Sequence, residues 1–255
     1  MENKLLILPD IHGRTFWKEP CKKINNYNKI IFLGDYLDPY NFENITVEQA
    51  IQNFKCIIKY AKKYKDKVIL LLGNHDMPYF SDEYLSLANW HCRHSKEHHD
   101  EIHSLFEKNK SLFQVAYTYN NILFTHAGCT KGWIQTMIKE TQTDIDNREL
   151  VDIVITLNNL LTTKEGLKCL FMTSGERGGL DTWGSCIWAD YNELLFEYKI
   201  SKYKNINEHY DRKQVFGHSL QLDGNPIEFG DCKMLDTRNA YELDIEEFKI
   251  NKILL

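Results

Sequence analysis

Residues 29–39 read KIIFLGDYLDP, and this stretch decides the fold class. The apolar run Ile30–Leu33 is short and ends at Gly34, which favours a strand buried on both faces over a helix. Two carboxylates, Asp35 and Asp38, follow the glycine at once. In α/β proteins, ligands bind beyond the carboxyl ends of the strands. The stretch therefore predicts a buried strand that leads directly into a functional loop.

The same design recurs at four further strand ends. Each is a short apolar run followed by polar residues: Leu5–Leu8 before PDIHG, Val68–Leu72 before GNHD, Ile122–Phe124 before THAG, and Val215–Phe216 before GHS. Asp10 and His12 alternate along an extended segment, so both side chains can face one ion. Each motif taken alone also fits a solvated turn, because Gly, Asp and Asn favour turns for backbone reasons.

The connections between these runs predict that their polar ends meet. Thr46–Gln49 matches a capping box, and apolar residues at intervals of three and four predict an amphipathic helix to about Tyr64. Strand, helix and strand in this order form a right-handed βαβ unit whose loops share one edge of the sheet. Further on, Asn120-Asn121 predicts a tight hairpin turn, and Lys233–Leu235 reads as the last core strand.

Composition favours a single globular α/β domain. The chain has 255 residues, and helical spacing at about 130–172 predicts a helical insertion within one domain spanning residues 1–255. The net charge of −5 gives no sign of bulk nucleic-acid or membrane binding, although it does not exclude a local basic groove. Seven cysteines without a CxxC pair indicate reduced thiols and a cytoplasmic protein. The first residues, MENKLLILPD, read as a strand rather than a signal peptide, and no stretch approaches the roughly 18 apolar residues of a membrane span.

The segment 77–110 is rich in histidine. Its candidate zinc ligands are His91, Cys92, His94, His98, His99 and His103. Zinc sites use paired spacing and a closed set of four ligands, which this pattern does not form. The neighbouring Arg, Lys, Glu and Asp residues are typical of an exposed helix, and we therefore favour a polar helical excursion.

Side chains that can bind metal ions stand at the ends of the predicted strands. They offer Asp10, His12, Asp35, Asn74, His126 and His218, with Asp38 and His75 beside them. Carboxylate, imidazole and amide donors suit Mn, Fe or Zn. Six ligands with one shared carboxylate are enough for two ions about 3.5–4 Å apart. The sequence predicts two divalent metal ions, with Mn preferred over Fe or Zn.

The five motifs, in this order, resemble those of the calcineurin-like metallophosphoesterases, from residue 10 to residue 219. The resemblance implies a four-layer α-β-β-α fold, in which a β-sandwich of two sheets is flanked by helices. It also implies that Asp10, His12 and Asp35 hold the first metal ion, and that Asp35 bridges to a second ion completed by Asn74, His126 and His218. His75 resembles the histidine that protonates the leaving group, and Asp38 resembles its carboxylate partner.

Finer details resemble one branch of this family. Leu220 stands where many broad-specificity phosphodiesterases have a second histidine, and Trp188-Ala-Asp190 resembles a Trp-Ser-Asp segment. Both features are similar to the serine/threonine phosphoprotein phosphatases and the symmetrical dinucleoside tetraphosphatases. Pro39 replaces the arginine that usually follows the second aspartate in that branch, so this phosphate contact is either missing or supplied elsewhere, by Arg177 or Arg14.

The sequence thus predicts a phosphatase that cleaves phosphomonoesters with a metal-activated hydroxide. Its expected partner is a phosphorylated small molecule, nucleotide or phosphoprotein. One alternative is a hydrolase of dinucleoside polyphosphates or a phosphatase or phosphodiesterase acting on nucleic-acid ends, with Trp133, Trp183 or Trp188 stacking on a base. A non-catalytic binding module on the same fold is the second alternative.

Overall fold

The computed structural model describes residues 3–88, 93–143, 149–204 and 212–254. The chain divides into two compact units, residues 1–114 with 237–255 and residues 115–236. That it forms one domain with a helical insertion stays a prediction. No helix in the described part of the chain is both long and apolar enough to cross a bilayer.

The described residues contain eleven strands. In chain order they are β1 Lys4–Leu8, β2 Lys29–Phe32, β3 Val68–Leu71, β4 Phe113–Gln114, β5 Ala116–Tyr119, β6 Ile122–Thr125, β7 Lys213–Phe216, β8 Ile227–Phe229, β9 Cys232–Met234, β10 Tyr241–Asp244 and β11 Lys249–Lys252. Strands β1–β4, β10 and β11 belong to the first unit, and β5–β9 belong to the second.

Nine α-helices connect these strands within the same described ranges. They are α1 Lys18–Cys21, α2 Val47–Lys63, α3 Met77–Phe80, α4 Asp82–Ala88, α5 His99–Glu107, α6 Lys131–Thr141, α7 Leu150–Asn159, α8 Lys164–Phe171 and α9 Tyr191–Lys204. Helices α6–α8 lie where the sequence predicts its helical insertion. The prediction of a mixed α/β fold with two sheets flanked by helices is confirmed.

The sheet of the first unit has the strand order β11-β10-β1-β2-β3-β4. Strands β1, β2 and β3 run parallel, as the βαβ pattern predicts, and their apolar residues are almost all buried. Because parallel strands end at the same edge, the loops that start at Pro9, Leu33 and Leu72 emerge side by side.

Helix α2 begins at the predicted capping box. The Thr46 hydroxyl accepts from the Gln49 N–H, and the Gln49 side chain accepts from the Thr46 N–H. Its buried face carries Ile51, Phe54 and Ile57. Phe54 packs on Phe106 of α5 with ring centroids 4.8 Å apart. This contact joins α2 to α5, which lies within the histidine-rich segment 77–110.

The sheet of the second unit has the order β5-β6-β7-β9-β8. The predicted hairpin at Asn120-Asn121 is confirmed: β5 and β6 pair antiparallel, and both asparagines have positive φ, of 46° and 58°. Strands β6 and β7 are parallel neighbours, so the loops after Thr125 and Phe216 start at the same edge.

One strand prediction was wrong. The run Lys233–Leu235 overlaps strand β9, but β9 is not the last strand, since β10 and β11 follow it in the first unit. Strand β10 pairs antiparallel with β1. It was missed because only alternate residues, Tyr241 and Leu243, are buried, and the continuous apolar run of the other core strands is absent.

Candidate metal and catalytic site

The loops after β1 and β2 have an unusual backbone. Asp10, His12, Asp35 and Asp38 have positive φ, of 28°, 42°, 53° and 54°. Residues other than glycine and asparagine seldom adopt this region, and such strain clusters at active sites. The four residues are the ones that the sequence singles out as ligands or catalytic groups in these two loops.

Backbone hydrogen bonds join the two loops side by side. The N–H of His12 donates to the Asp35 carbonyl at 2.6 Å, and the N–H of Gly13 donates to the Tyr36 carbonyl at 3.0 Å. The loop after β3 comes equally close, because a Cβ on Gly34 would lie 2.5 Å from the Gly73 nitrogen. Gly34 also has a φ of +107°, so this position requires glycine.

The Asp76 carboxylate binds the second and third loops together. It accepts hydrogen bonds from the N–H groups of Asp35, Tyr36 and Gly73, at 2.7, 2.9 and 2.8 Å. Asp76 is fully buried. Burial and the charge of Asp35 raise the pKa of Asp76 above its ordinary value, and the three N–H donors act against this rise. The sequence analysis did not assign this role to Asp76, although the residue ends the GNHD motif.

The His12 side chain has an orientation that suits a metal ligand. Its Nδ1 donates to the Leu37 carbonyl at 2.8 Å, which leaves the lone pair on Nε2. That Nε2 lies 3.4 Å from Oδ2 of Asp35. Burial lowers the pKa of His12, so its neutral form is favoured despite the nearby Asp35 carboxylate. Metal-ligating histidines characteristically bind a carbonyl through their second nitrogen in this way.

One ligand atom each from Asp10, His12 and Asp35 lies within 4.8 Å of the other two. All three residues are at most 2% exposed. Two buried carboxylates with a neutral imidazole form a donor set that fits a divalent transition metal. Asn74, also buried, follows the end of β3, and the next N–H along the chain, that of His75, donates to Oδ1 of Asp35 at 2.9 Å.

His75 and Asp38 form the predicted pair. The imidazole Nδ1 lies 3.2 Å from Oδ2 of Asp38, and the other carboxylate oxygen accepts from the Tyr79 hydroxyl at 2.7 Å. Burial alone would lower the pKa of His75, but the charges of Asp35 and Asp38 and the hydrogen bond to Asp38 raise it above its ordinary value. The arrangement favours a protonated imidazole whose Nδ1 is already occupied.

Arg93 is a residue that the sequence analysis missed. Its guanidinium carbon lies 4.0 Å from the centre of the Tyr40 ring, and its Nη2 donates to the Asp38 carbonyl at 3.1 Å. The Tyr40 ring in turn packs edge-on against His12, with centroids 4.9 Å apart. Arg93 lies in the segment read as a polar excursion, and no local motif marks it. His91 and Cys92 just before it, which were considered as zinc ligands and not favoured, lie outside the described residues.

Arg14 is held by protein groups. Its Nε and Nη2 donate to the two oxygens of Glu43 at 2.8 and 2.9 Å, and its Nη1 donates to the Asp10 carbonyl at 2.9 Å. A bidentate arginine–carboxylate pair of this kind is strong and geometrically specific. Arg14 thereby connects the Asp10 loop to Glu43.

In the second unit, the two predicted histidines meet. His126 Nε2 lies 3.1 Å from His218 Nδ1, and the Gly217 N–H donates to the His126 carbonyl at 2.7 Å. Trp188 packs edge-on against the His218 ring at 5.9 Å. His218 has a positive φ of 70°, like the predicted ligands Asp10, His12 and Asp35 of the first unit.

Arg177 lies beside His218. Its Nε is 2.9 Å from Oδ2 of Asp190, its Nη2 donates to the Ser219 hydroxyl at 2.5 Å, and the same Nη2 is 3.5 Å from the His218 carbonyl. The Trp-Ala-Asp segment therefore orients this arginine through its aspartate. About a quarter of the Arg177 side chain, 24%, remains exposed.

The family model of the calcineurin-like phosphoesterases matches residues 4–221, which is most of the chain. The chain belongs to this family. It is therefore a hydrolase acting on phosphoric ester bonds, and its substrates are phosphorylated. A comparison with curated protein sequences finds no significant match.

Two solved structures show the same fold at low sequence identity. A cold-active protein-tyrosine phosphatase of the psychrophile Shewanella sp. is 15% identical, with a TM-score of 0.53 over 100% of this chain and 81% of that one. A second structure of a cold-active protein tyrosine phosphatase is 15% identical, with a TM-score of 0.55 over 99% of this chain and 79% of that one. At this identity the likeness establishes the fold of the phosphoesterase and no more.

The central role of Asp76 can be tested with Asp76→Asn. One amide oxygen cannot accept all three N–H groups, and an unsatisfied buried donor costs about 1–3 kcal/mol. We expect this phosphoesterase variant to lose about 2–4 kcal/mol of unfolding free energy. Urea unfolding measures this loss, with Asp100→Asn, at an exposed site of α5, as the matched control. Equal unfolding midpoints for Asp76→Asn and wild type would show that the carboxylate does not hold the loops.

Proposed function

We propose that this phosphoesterase is a metal-dependent phosphatase that cleaves phosphomonoesters. The observation that carries the proposal is the chain of hydrogen bonds from Tyr79 through Asp38 to His75 in the unit that also holds Asp10, His12 and Asp35. An alkyl leaving group needs a proton when the P–O bond of its monoester breaks, because an alkoxide is a poor leaving group. A histidine whose proton is stabilised by carboxylates can supply it.

For the metal centre, we assign one ion to Asp10, His12 and Asp35. A second ion is assigned to Asp35, Asn74, His126 and His218. The order of the five motifs and the family match support this ligand set. When bound, two divalent cations neutralise phosphoryl oxygens and lower the pKa of water enough for it to attack near neutral pH. Manganese is the proposed metal, with iron and zinc as alternatives, because the donors mix carboxylate, amide and imidazole.

His75 acts as the general acid in this proposal. Asp38 accepts from Nδ1 and so fixes the ring orientation, which leaves Nε2 to donate its proton to the departing oxygen. Tyr79 holds the other carboxylate oxygen and keeps Asp38 in place. Asp38 is therefore a positioning residue, which acts through the imidazole.

Arg93 is the proposed phosphate-binding residue, in place of the arginine that Pro39 replaces. Stacking on Tyr40 fixes the orientation of the Arg93 guanidinium. A guanidinium has five N–H donors, and the hydrogen bond to the Asp38 carbonyl uses one of them, so others can bind a phosphate. Arg14 is less suited to this role because Glu43 already takes two of its donors. Arg177 remains proposed as a second phosphate contact, oriented by Asp190.

A phosphoprotein or a small phosphomonoester is the preferred substrate. The alternative of a stacked nucleobase loses two of its three aromatic candidates, because Trp133 and Trp188 are buried, at 0% and 5% exposure.

We also infer a cytoplasmic setting from the cysteines, since the six within the described residues are free thiols.

The substrate class can be decided with metal-free protein to which Mn, Fe, Zn or Mg is returned in turn. We expect Mn to restore hydrolysis of p-nitrophenyl phosphate, with at least a ten-fold preference over the bis-ester, since the general acid and the arginine fit a dianionic terminal phosphate. Asp10→Ala serves as the inactive control. A preference for the bis-ester would point to a phosphodiesterase, and binding of metal without any hydrolysis would point to a binding module.

The general acid can be tested with His75→Ala. With an alkyl phosphomonoester as the substrate, we expect kcat to fall about 10²–10⁴-fold while the metal content is unchanged, because general acid catalysis is lost and the proposed ligands are intact. Steady-state kinetics and elemental analysis measure the two quantities. His98→Ala, another histidine of the first unit, is the matched control. Wild-type turnover in His75→Ala would exclude His75 as the acid.

The phosphate contact can be tested with Arg93→Ala. Losing a charged hydrogen-bond donor of about 1.5–3 kcal/mol should lower kcat/KM about ten- to hundred-fold. Arg93→Lys should recover only part of this loss, because lysine lacks the planar fork. Lys96→Ala removes a nearby positive charge and is expected to behave like the wild type. If Arg93→Ala keeps the full kcat/KM, the phosphate is bound elsewhere.

A further inference from the structure

Two histidines on α5 lie one turn apart on the same face. His99 and His103 are four residues apart, and their rings are nearly parallel, with centroids 5.6 Å apart and an interplanar angle of 10°. Asp82, the first residue of α4, faces them. One ligand atom from each of these three residues lies within 4.8 Å of the other two. The cluster contains none of the residues assigned to the phosphoesterase centre.

His99 and Asp82 form the closest pair of this cluster, and their nearest polar atoms have the spacing of two ligands on one metal ion. Nε2 of His99 lies 3.3 Å from Oδ1 of Asp82. Bonds of about 2.0–2.1 Å to a tetrahedral zinc ion separate neighbouring ligand atoms by about 3.3–3.4 Å. The His103 ring is a little further away: its Nδ1, which is bound to the Tyr79 carbonyl, lies 3.9 Å from the same oxygen, and the ligating atom of this ring is therefore Nε2. The Asp82 side chain is 71% exposed and can therefore rotate to close the set.

The outer hydrogen bonds of both histidines match those of metal ligands. His103 Nδ1 lies 2.8 Å from the Tyr79 carbonyl, which can only accept, so Nδ1 carries the proton and Nε2 carries the lone pair. His99 uses its Nδ1 for His94 Nε2, at 2.9 Å, which leaves Nε2 on the side of Asp82. A ligating histidine is ordinarily fixed through its second nitrogen in this manner.

We propose that Asp82, His99 and His103 bind a zinc ion at a site separate from the phosphoesterase centre. Two imidazoles and one carboxylate are a zinc donor set, in which water completes a tetrahedron. The sequence pattern did not reveal this site, because Asp82 lies outside the run of histidines and completes the set only through the packing of α4 near α5.

The zinc ion would join the start of α4 to α5 at a place that matters for the proposed chemistry. His94, the partner of His99, packs on the Tyr79 ring at 4.7 Å, and Tyr79 also provides the carbonyl that binds His103. The Tyr79 hydroxyl holds Asp38. Zinc at this site therefore restrains the side chain that positions the Asp38–His75 pair.

The test compares zinc content per chain after equilibration with micromolar zinc and removal of the excess. We expect His99→Ala/His103→Ala to contain one zinc ion fewer than the wild type. His98→Gln is the matched control, because His98 lies on the same segment but faces Ser95 and Glu48, at 3.0 and 3.4 Å. It should retain the full zinc content. Equal zinc content in the double variant and the wild type would overturn the proposal.

A second variant, Asp82→Asn, tests the proposal independently of whether the double variant folds. Asp82→Asn alters an exposed side chain, and we expect it to weaken zinc binding at this site at least ten-fold by calorimetric titration, with an unchanged circular dichroism spectrum. Unchanged affinity in Asp82→Asn would remove the carboxylate from the set and contradict the proposal. Both tests measure a difference from the wild type, so they hold whether or not the phosphoesterase centre takes up zinc.

Discussion

The first unit depends on the three hydrogen bonds that the Asp76 carboxylate accepts from the backbone. They come from Asp35 and Tyr36 in one loop and from Gly73 in the next, so a single buried group fixes two loops at once. An isolated carboxylate at full burial is costly, and these N–H donors supply the compensation. Without these hydrogen bonds, the loops after β2 and β3 would not be held against each other through Asp76. The contact that helps to hold Asp35 at its strained φ would be lost as well.

The strained backbone of the loops after β1 and β2 is stabilised by the contacts around it. Asp10, His12, Asp35 and Asp38 adopt positive φ, which costs free energy at each position. Backbone hydrogen bonds between the loops and the hydrogen bonds of Asp76 offset this cost. The apolar packing of β1–β3 next to these loops offsets it further. A site held this way is preorganised, since its donors are positioned before any ligand is bound.

Around this centre lies a second layer that comes from a different part of the chain. Tyr79, Arg93 and His94 all follow β3, and they contact Asp38 or its neighbours through a hydroxyl, a guanidinium and a stacked ring. These residues orient Asp38, and they include the phosphate contact proposed for Arg93 and neighbours of the proposed zinc site. The segment after β3 therefore supports the loop after β2 although it contains none of the proposed metal ligands of that loop.

The sequence alone determined the parallel strands, the capping box of α2, the Asn-Asn hairpin and the family. Each depends on residues close together in the chain: an apolar run before a glycine, a Thr and a Gln three residues apart, a turn that needs positive φ. Only the tertiary structure gives the contacts of Asp76, Arg93 and Asp82, and it revealed β10. Those features arise where segments distant in sequence pack together, as when Arg93 reaches the Asp38 carbonyl across 55 positions. Local pattern carries no information about such contacts, because burial and hydrogen-bond partners are set only once the chain has folded.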